Sequence, residues 1–246
     1  MVDEPKQSGS NDETIGNIYH QIYLAVIEQR LPPGTKLAEG KLAQIFGVSR
    51  ARIRDVLARL VFEGIVEHVP QKGAHVARPT PTQARNVIEM RRMIEPGIVT
   101  RLISTLNDAK IGALMDHLEA EADARREKDA QLIIRLSGDF HCLLGTLCEN
   151  EFLARSIREL STLTCLMISL YNAPTREACR DDEHAQIVAA IVDRDEARAS
   201  QLMIDHLEHI EASLMLNQAV DATDLDKVFA SVNFRATRRQ PETVEG

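Results

Sequence analysis

The stretch LAQIFGVSRARIRDVLARL, residues 42–60, limits the possible fold more than any other part of the chain. Residues 38–46 form a short helix by pattern, and Gly47 stops it, because glycine enters the left-handed conformation without a Cβ clash. Ser49 is a good N-cap for a second helix, since its hydroxyl can accept from an orphan N–H of the first turn. The next run, 50–63, puts Ile53, Val56, Leu57 and Leu60 on one face, and Gly64 closes it. A helix, a glycine-centred turn and a second helix with basic residues at its start form the helix-turn-helix pattern.

The flanks extend it. Ile15, Ile18, Ile22, Ala25 and Val26 recur at helical spacing over 15–29. Pro32, Pro33 and Gly34 then stop that helix. After Gly64 come two β-branched stretches, IVEHV (65–69) and AHVAR (74–78), with the turn-forming PQKG between them. A hairpin after three helices is a winged helix. From Pro81 onward every periodic segment reads as helix, near 82–106, 109–127, 130–149, 151–172, 176–193 and 195–217. Six helices on short connections predict an antiparallel bundle. The expected fold is mainly α, an N-terminal winged helix-turn-helix plus a C-terminal antiparallel α-helical bundle. The expected divisions are a disordered lead over 1–12, a winged domain over 13–78, a helical domain over 79–220 and a tail over 221–246.

Composition agrees. Hydrophobic residues make up 44% of the chain, aromatics only 4%, and Trp is absent, so aliphatic side chains must fill helical cores. The net charge of −8 is uneven: residues 11–79 carry 9 Lys/Arg against 7 Asp/Glu, and residues 80–246 carry 19 against 28. A slightly basic module on an acidic one suits a DNA reader joined to a sensor. Cys142, Cys148, Cys165 and Cys179 form no CxxC pair, and three lie in apolar helical runs, as reduced buried thiols do. The N-terminus has no signal-like apolar core, and no run is apolar and long enough to span a membrane, so a cytoplasmic protein is expected.

The second helix of the motif can enter a major groove with its N-terminal residues at the base edges. Ser49, Arg50 and Ala51 stand at that tip, and Arg54 follows Arg50 by one turn. The planar guanidinium grips guanine O6/N7 or a phosphate with two donors. Arg52 and Arg59 are phosphate contacts or solvated charges. Lys72 and Gly73 sit at the hairpin tip, where Lys reaches phosphate or minor groove and Gly permits close approach. Any one of these arginines alone reads as an ordinary surface charge. The turn, cap, basic tip and wing in this order point to double-stranded DNA.

These residues resemble the GntR family, from IYHQIY at 18–23 through QKGAHV at 71–76. The resemblance implies an operator-binding transcriptional regulator, with Arg50 and Arg54 as principal contacts, Ser49 and Ala51 beside them, and Lys72–Gly73 in the wing. Gly40, Ala51 and the pair Arg52–Ile53 depart from the common family residues and bear on which operator is read.

Farther along, His141, His184 and His206 each fall on a different expected helix among apolar neighbours. Converging imidazoles bind zinc or nickel, but three satisfied core histidines have the same pattern. His209 could share the face of His206. A metal-dependent enzyme, with the three histidines activating water, is the alternative class, but no well-placed general base accompanies them, and Glu183 only adjoins His184. RRMIEPGIV (91–99), FHCLLGTLCEN (140–150) and EHAQIVAAIVDRD (183–195) resemble the FadR-type FCD ligand-binding domain of GntR regulators. That resemblance implies a divalent metal held by an Asp and three His, the His at 141, 184 and 206. Ser137 stands one turn before His141, in the place of the Asp, which leaves a position open to water or an effector carboxylate. Arg91 is implied either as a partner for that carboxylate or as a salt bridge to Glu95. The implied whole is a homodimer, not an enzyme, responding to a small carboxylic acid, and the six helices resemble the shorter VanR-like subgroup.

Overall fold

The computed structural model describes residues 9–171 and 182–215. Cys179, most of the lead and the whole tail expected over 221–246 lie outside the described residues. The N-terminal unit contains α1 (Gly9–Ile27), α2 (Glu39–Phe46), α3 (Arg50–Phe62), β1 (Val66–Val69) and β2 (Gly73–Val76). The bundle contains α4 (Pro81–Ser104), α5 (Asp108–Glu127), α6 (Ala130–Leu147), α7 (Glu151–Tyr171), α8 (Glu183–Val192) and α9 (Glu196–Ser213). The first helix begins at Gly9, so the lead that the sequence draws to residue 12 overlaps it. The helix expected from 176 is described from Glu183.

Local chemistry accounts for the joints. Gly47 closes α2 in the left-handed region at φ 65°, and Ser49 caps α3 by accepting from Arg52 N–H. The strands pair antiparallel, Val66 opposite Val76 and Val69 opposite Gly73. Residues 34–37 extend this small sheet, because Gly34 N–H donates to Val76 and Leu37 N–H to Ala74. Thr80 and Gln83 form a reciprocal capping box at the start of α4. Asn107, Asp129 and Asp195 cap α5, α6 and α9.

Two apolar cores form, but they are not separate. One gathers Ile18, Ile22, Leu42, Phe46, Ile53, Val56 and Leu60 of the winged unit. Leu166 of α7 is fully buried in that same core, with Leu163 packed against it. Leu160, Met167, Leu170 and Tyr171 of the same helix belong to the bundle core, and Leu163 packs against both. Arg135 of α6 also pairs with Glu28 just after α1 at 3.0 Å. The two cores therefore meet at α7.

Helices α6 and α7 lie close because α6 carries glycine where they touch. A Cβ on Gly145 would run into Ile157 Cγ2 and approach Ala154 Cα to 3.3 Å, whereas one on Gly112 of α5 would meet nothing within 4 Å. Gly145→Ala is therefore expected to destabilise the protein by about 1–3 kcal/mol through overpacking. Gly112→Ala is expected to stabilise it by roughly 0.5–1 kcal/mol, by restricting the unfolded chain. Urea unfolding of both variants checks the opposite signs.

Candidate functional site

The reading helix presents its tip as the sequence implies. Arg50, Ala51 and Arg54 are exposed at the start of α3, beside the Ser49 cap. Both arginines lean toward the start of α2: Arg54 Nε lies 3.6 Å from Glu39 Oε2. The Arg50 guanidinium covers Gly40, where a Cβ would come within 3.2 Å of Nη2. In the wing, Lys72 is exposed at the hairpin tip beside Gly73, whose φ of 89° suits glycine. Arg59 is committed elsewhere: it pairs with Glu63 at 3.1 Å and stacks over the Tyr19 ring at 3.9 Å, holding the end of α3 to α1.

In the bundle, His141 of α6, His184 of α8 and His206 of α9 are buried and converge. His206 Nε2 lies 3.2 Å from His141 Nε2 and 3.4 Å from His184 Nε2. Each Nδ1 faces a different carboxylate: Glu95 of α4 at 2.6 Å from His141, Glu121 of α5 at 2.8 Å from His184, and Glu183 of α8 at 2.8 Å from His206. Phe140 stacks on His184 with ring centres 4.0 Å apart and fixes its plane.

Electrostatics set the protons. Burial pushes His141 down to about 3 and His206 down to about 4, so both imidazoles are neutral. Burial alone would push Glu95 up, but Arg91 and His141 outweigh it and hold the carboxyl down at about 2. Glu121 and Glu183 are likewise held down against burial, by their histidines. An ionised carboxylate only accepts, so each Nδ1 donates to its Glu, and the neutral rings of His141 and His206 then have only a lone pair at Nε2. Lone pairs aimed at one point in a dry interior repel unless a cation lies between them. Tetrahedral zinc with bonds of about 2.0–2.1 Å separates its nitrogen ligands by roughly 3.3 Å, close to the 3.2 and 3.4 Å found here. Carboxylates on the far nitrogens are the usual outer support of metal-binding histidines. The donor set therefore fits a divalent ion with three protein nitrogens.

The other expected residues divide between the same cluster and its surroundings. Arg91 of α4 is buried, and its Nε donates to Glu95 at 2.6 Å while its Nη1 donates to Thr164 of α7 at 3.1 Å. Its Nη2 has no hydrogen-bond partner. The ion pair with Glu95 and an open donor thus coexist on one guanidinium. Ser137 is half-buried on α6, one turn before His141. Asp139 is on the same helix but faces Arg135, His117 and Arg158, and burial pushes its carboxyl up. His209 is exposed and shares Glu183 with His206, so the nearest candidate base is already engaged twice. Sequence reasoning missed the roles of Glu95, Glu121 and Glu183. Their only signals were Arg91–Glu95 and His117–Glu121 spacing, plus Glu183 beside His184.

Comparisons with known proteins bear on the family and the fold. The FCD domain profile matches residues 86–209, and that of bacterial regulatory proteins of the gntR family matches residues 14–76. The chain is 24% identical over 198 residues to the HTH-type transcriptional repressor RspR of Escherichia coli (strain K12), covering 80% of this chain and 87% of that protein. It is 26% identical over 176 residues to the Nta operon transcriptional regulator of Aminobacter aminovorans, covering 72% and 82%. A GntR-type regulator structure from Rhodococcus sp. RHA1 shares the fold, with a TM-score of 0.72 at 20% identity over 81% of this chain and 96% of that one.

The Arg91–Glu95 pair is fully desolvated, so removing one charge strands the other. Glu95→Gln is expected to cost about 3–5 kcal/mol of folding stability, measured by urea denaturation. Arg92→Gln, which loses a half-exposed pair with Glu211, is expected to cost under about 1 kcal/mol.

Proposed function

The chain belongs to the gntR family of bacterial regulatory proteins and to its FCD-domain members, and from that premise we propose that it is a homodimeric, metal-containing repressor whose operator affinity is set by a small carboxylic acid. One observation carries the sensor half of this reading: three buried imidazole nitrogens converge beside a buried guanidinium with an unused donor. The DNA-reading half rests on Arg50 and Arg54, exposed together at the start of α3.

In this reading Ser49, Arg50, Ala51 and Arg54 meet base edges and adjacent phosphates in the major groove. Lys72 and Gly73 follow the backbone into the neighbouring minor groove. A two-fold dimer reads the two halves of a palindromic operator, which places its work in the cytoplasm. His141, His184 and His206 would hold zinc or nickel. When bound, such an ion supplies a Lewis-acid seat for an effector oxygen. Glu95, Glu121 and Glu183 keep the three rings in the ligating tautomer. Ser137, short and uncharged, contributes no carboxylate and leaves that side of the cluster open to the effector. Arg91 neutralises the acid. The six bundle helices described support a VanR-like assignment within the family.

The effector acts on DNA through α7. Thr164 touches Arg91 on one side of α7, while Leu166 on another lies in the winged core. An acid that binds one α7 position better than another must shift the reading heads by that difference in affinity.

A gel shift with the gene's own upstream region tests the DNA-reading half. Arg50→Ala and Arg54→Ala are each expected to weaken specific binding by about 1–3 kcal/mol, and Lys72→Ala to weaken all sequences alike and flatten the salt dependence. Wild type that fails to select its own upstream region, or arginine variants that bind as wild type does, would sink the assignment. For the metal, metal analysis of purified protein is expected to find about one divalent ion per chain, lost in His141→Ala/His184→Ala. Ser137→Asp is expected to tighten zinc at least tenfold in a chelator competition, by adding a fourth protein ligand.

A further inference from the structure

The DNA-reading face carries an acid beside its arginines. Glu39 opens α2. Its Oε2 lies 3.6 Å from Nε of Arg54 on α3, and both side chains are open to solvent, at 43% and 64%. A carboxylate on a face that meets phosphates weakens binding to every sequence alike, because it repels them and offsets a cation that would neutralise them. An exposed ion pair adds little to folding stability, so the pair alone is a poor reason to place an acid there. Ala38 gives α2 no side-chain cap, so Glu39 also supplies negative charge to that helix end. That structural role would be served as well by an acid turned away from Arg54.

The two reading arginines meet α2 in different ways. Nη2, Cζ and Nε of Arg50 lie 3.2–3.5 Å from where a Cβ of Gly40 would stand, so that guanidinium rests on a bare stretch of helix. Arg54, one turn further along α3, meets the acid through Nε instead. A guanidinium is a rigid planar fork, with Nε on one edge and two Nη nitrogens beyond it. An acid at Nε leaves both Nη nitrogens for guanine O6 and N7. It also keeps the side chain from swinging to a phosphate, a contact that carries no sequence information.

We propose that Glu39 is a positioning residue for operator selection, holding Arg54 by Nε so that its two terminal nitrogens face a base. This rests on the reading of Arg54 as a base contact and adds to it the residue that makes the contact selective.

The test titrates the full chain with the gene's own upstream region and with random duplex DNA of equal length, at one salt concentration, by fluorescence anisotropy. Glu39→Gln keeps the shape of the side chain and removes its charge. The ratio of the two Kd values is expected to fall about fivefold or more, while binding to random duplex tightens. An acid that served only the helix end would instead lower Tm and leave the ratio unchanged. Repeating the substitution in Arg54→Ala closes a double-mutant cycle, and there Glu39→Gln is expected to leave the ratio within about twofold. If Glu39→Gln keeps the wild-type ratio, or lowers it as much without Arg54, the positioning role is wrong while Arg54 stands as a reader. If Arg54→Ala selects the upstream region as wild type does, the reading of Arg54 falls, and this proposal with it.

Discussion

The bundle is organised by three buried imidazoles that converge on one place. His141, His184 and His206 come from α6, α8 and α9, and the carboxylates that orient them from α4, α5 and α8. Five of the six bundle helices described therefore meet at one polar point inside an otherwise aliphatic core. Burying that many polar groups is costly unless each is paired. Here every Nδ1 has its own carboxylate.

The same economy appears at Arg91. A fully buried guanidinium needs a counter-charge, which Glu95 provides while also holding His141. One carboxylate thus joins the buried arginine to the histidine cluster. Helix α7 completes the connection, since it touches Arg91 with one face and the winged core with the other. The bundle and the winged unit thus share one helix in their packing.

The DNA-reading unit was almost fully legible in the sequence. Its information is local: a glycine that must turn, a serine that caps, and arginines spaced by a helical turn. The strands and wing tip were legible for the same reason. The bundle was legible as helices and joints, with Asn107 and Asp195 acting as the caps their residue types suggest. The histidines were legible as candidates but not as a cluster, because 43 residues separate His141 from His184 and 22 separate His184 from His206. Glu95, Glu121 and Glu183 were less legible still. Each has a nearer partner in sequence that accounts for it, and surface ion pairs look the same on paper.

What the sequence determined alone is therefore whatever short-range sterics and periodicity specify: nearly all helix positions, the turn-and-wing module and the exposed arginines. What only the tertiary structure decided is which groups face one another. The three Nε2 atoms, the shared Glu95 carboxylate, the open donor of Arg91, and the double use of α7 all arise from helices far apart in the chain. Periodicity says which side of a helix is buried. It does not say against what, because that is set by how all the faces pack at once.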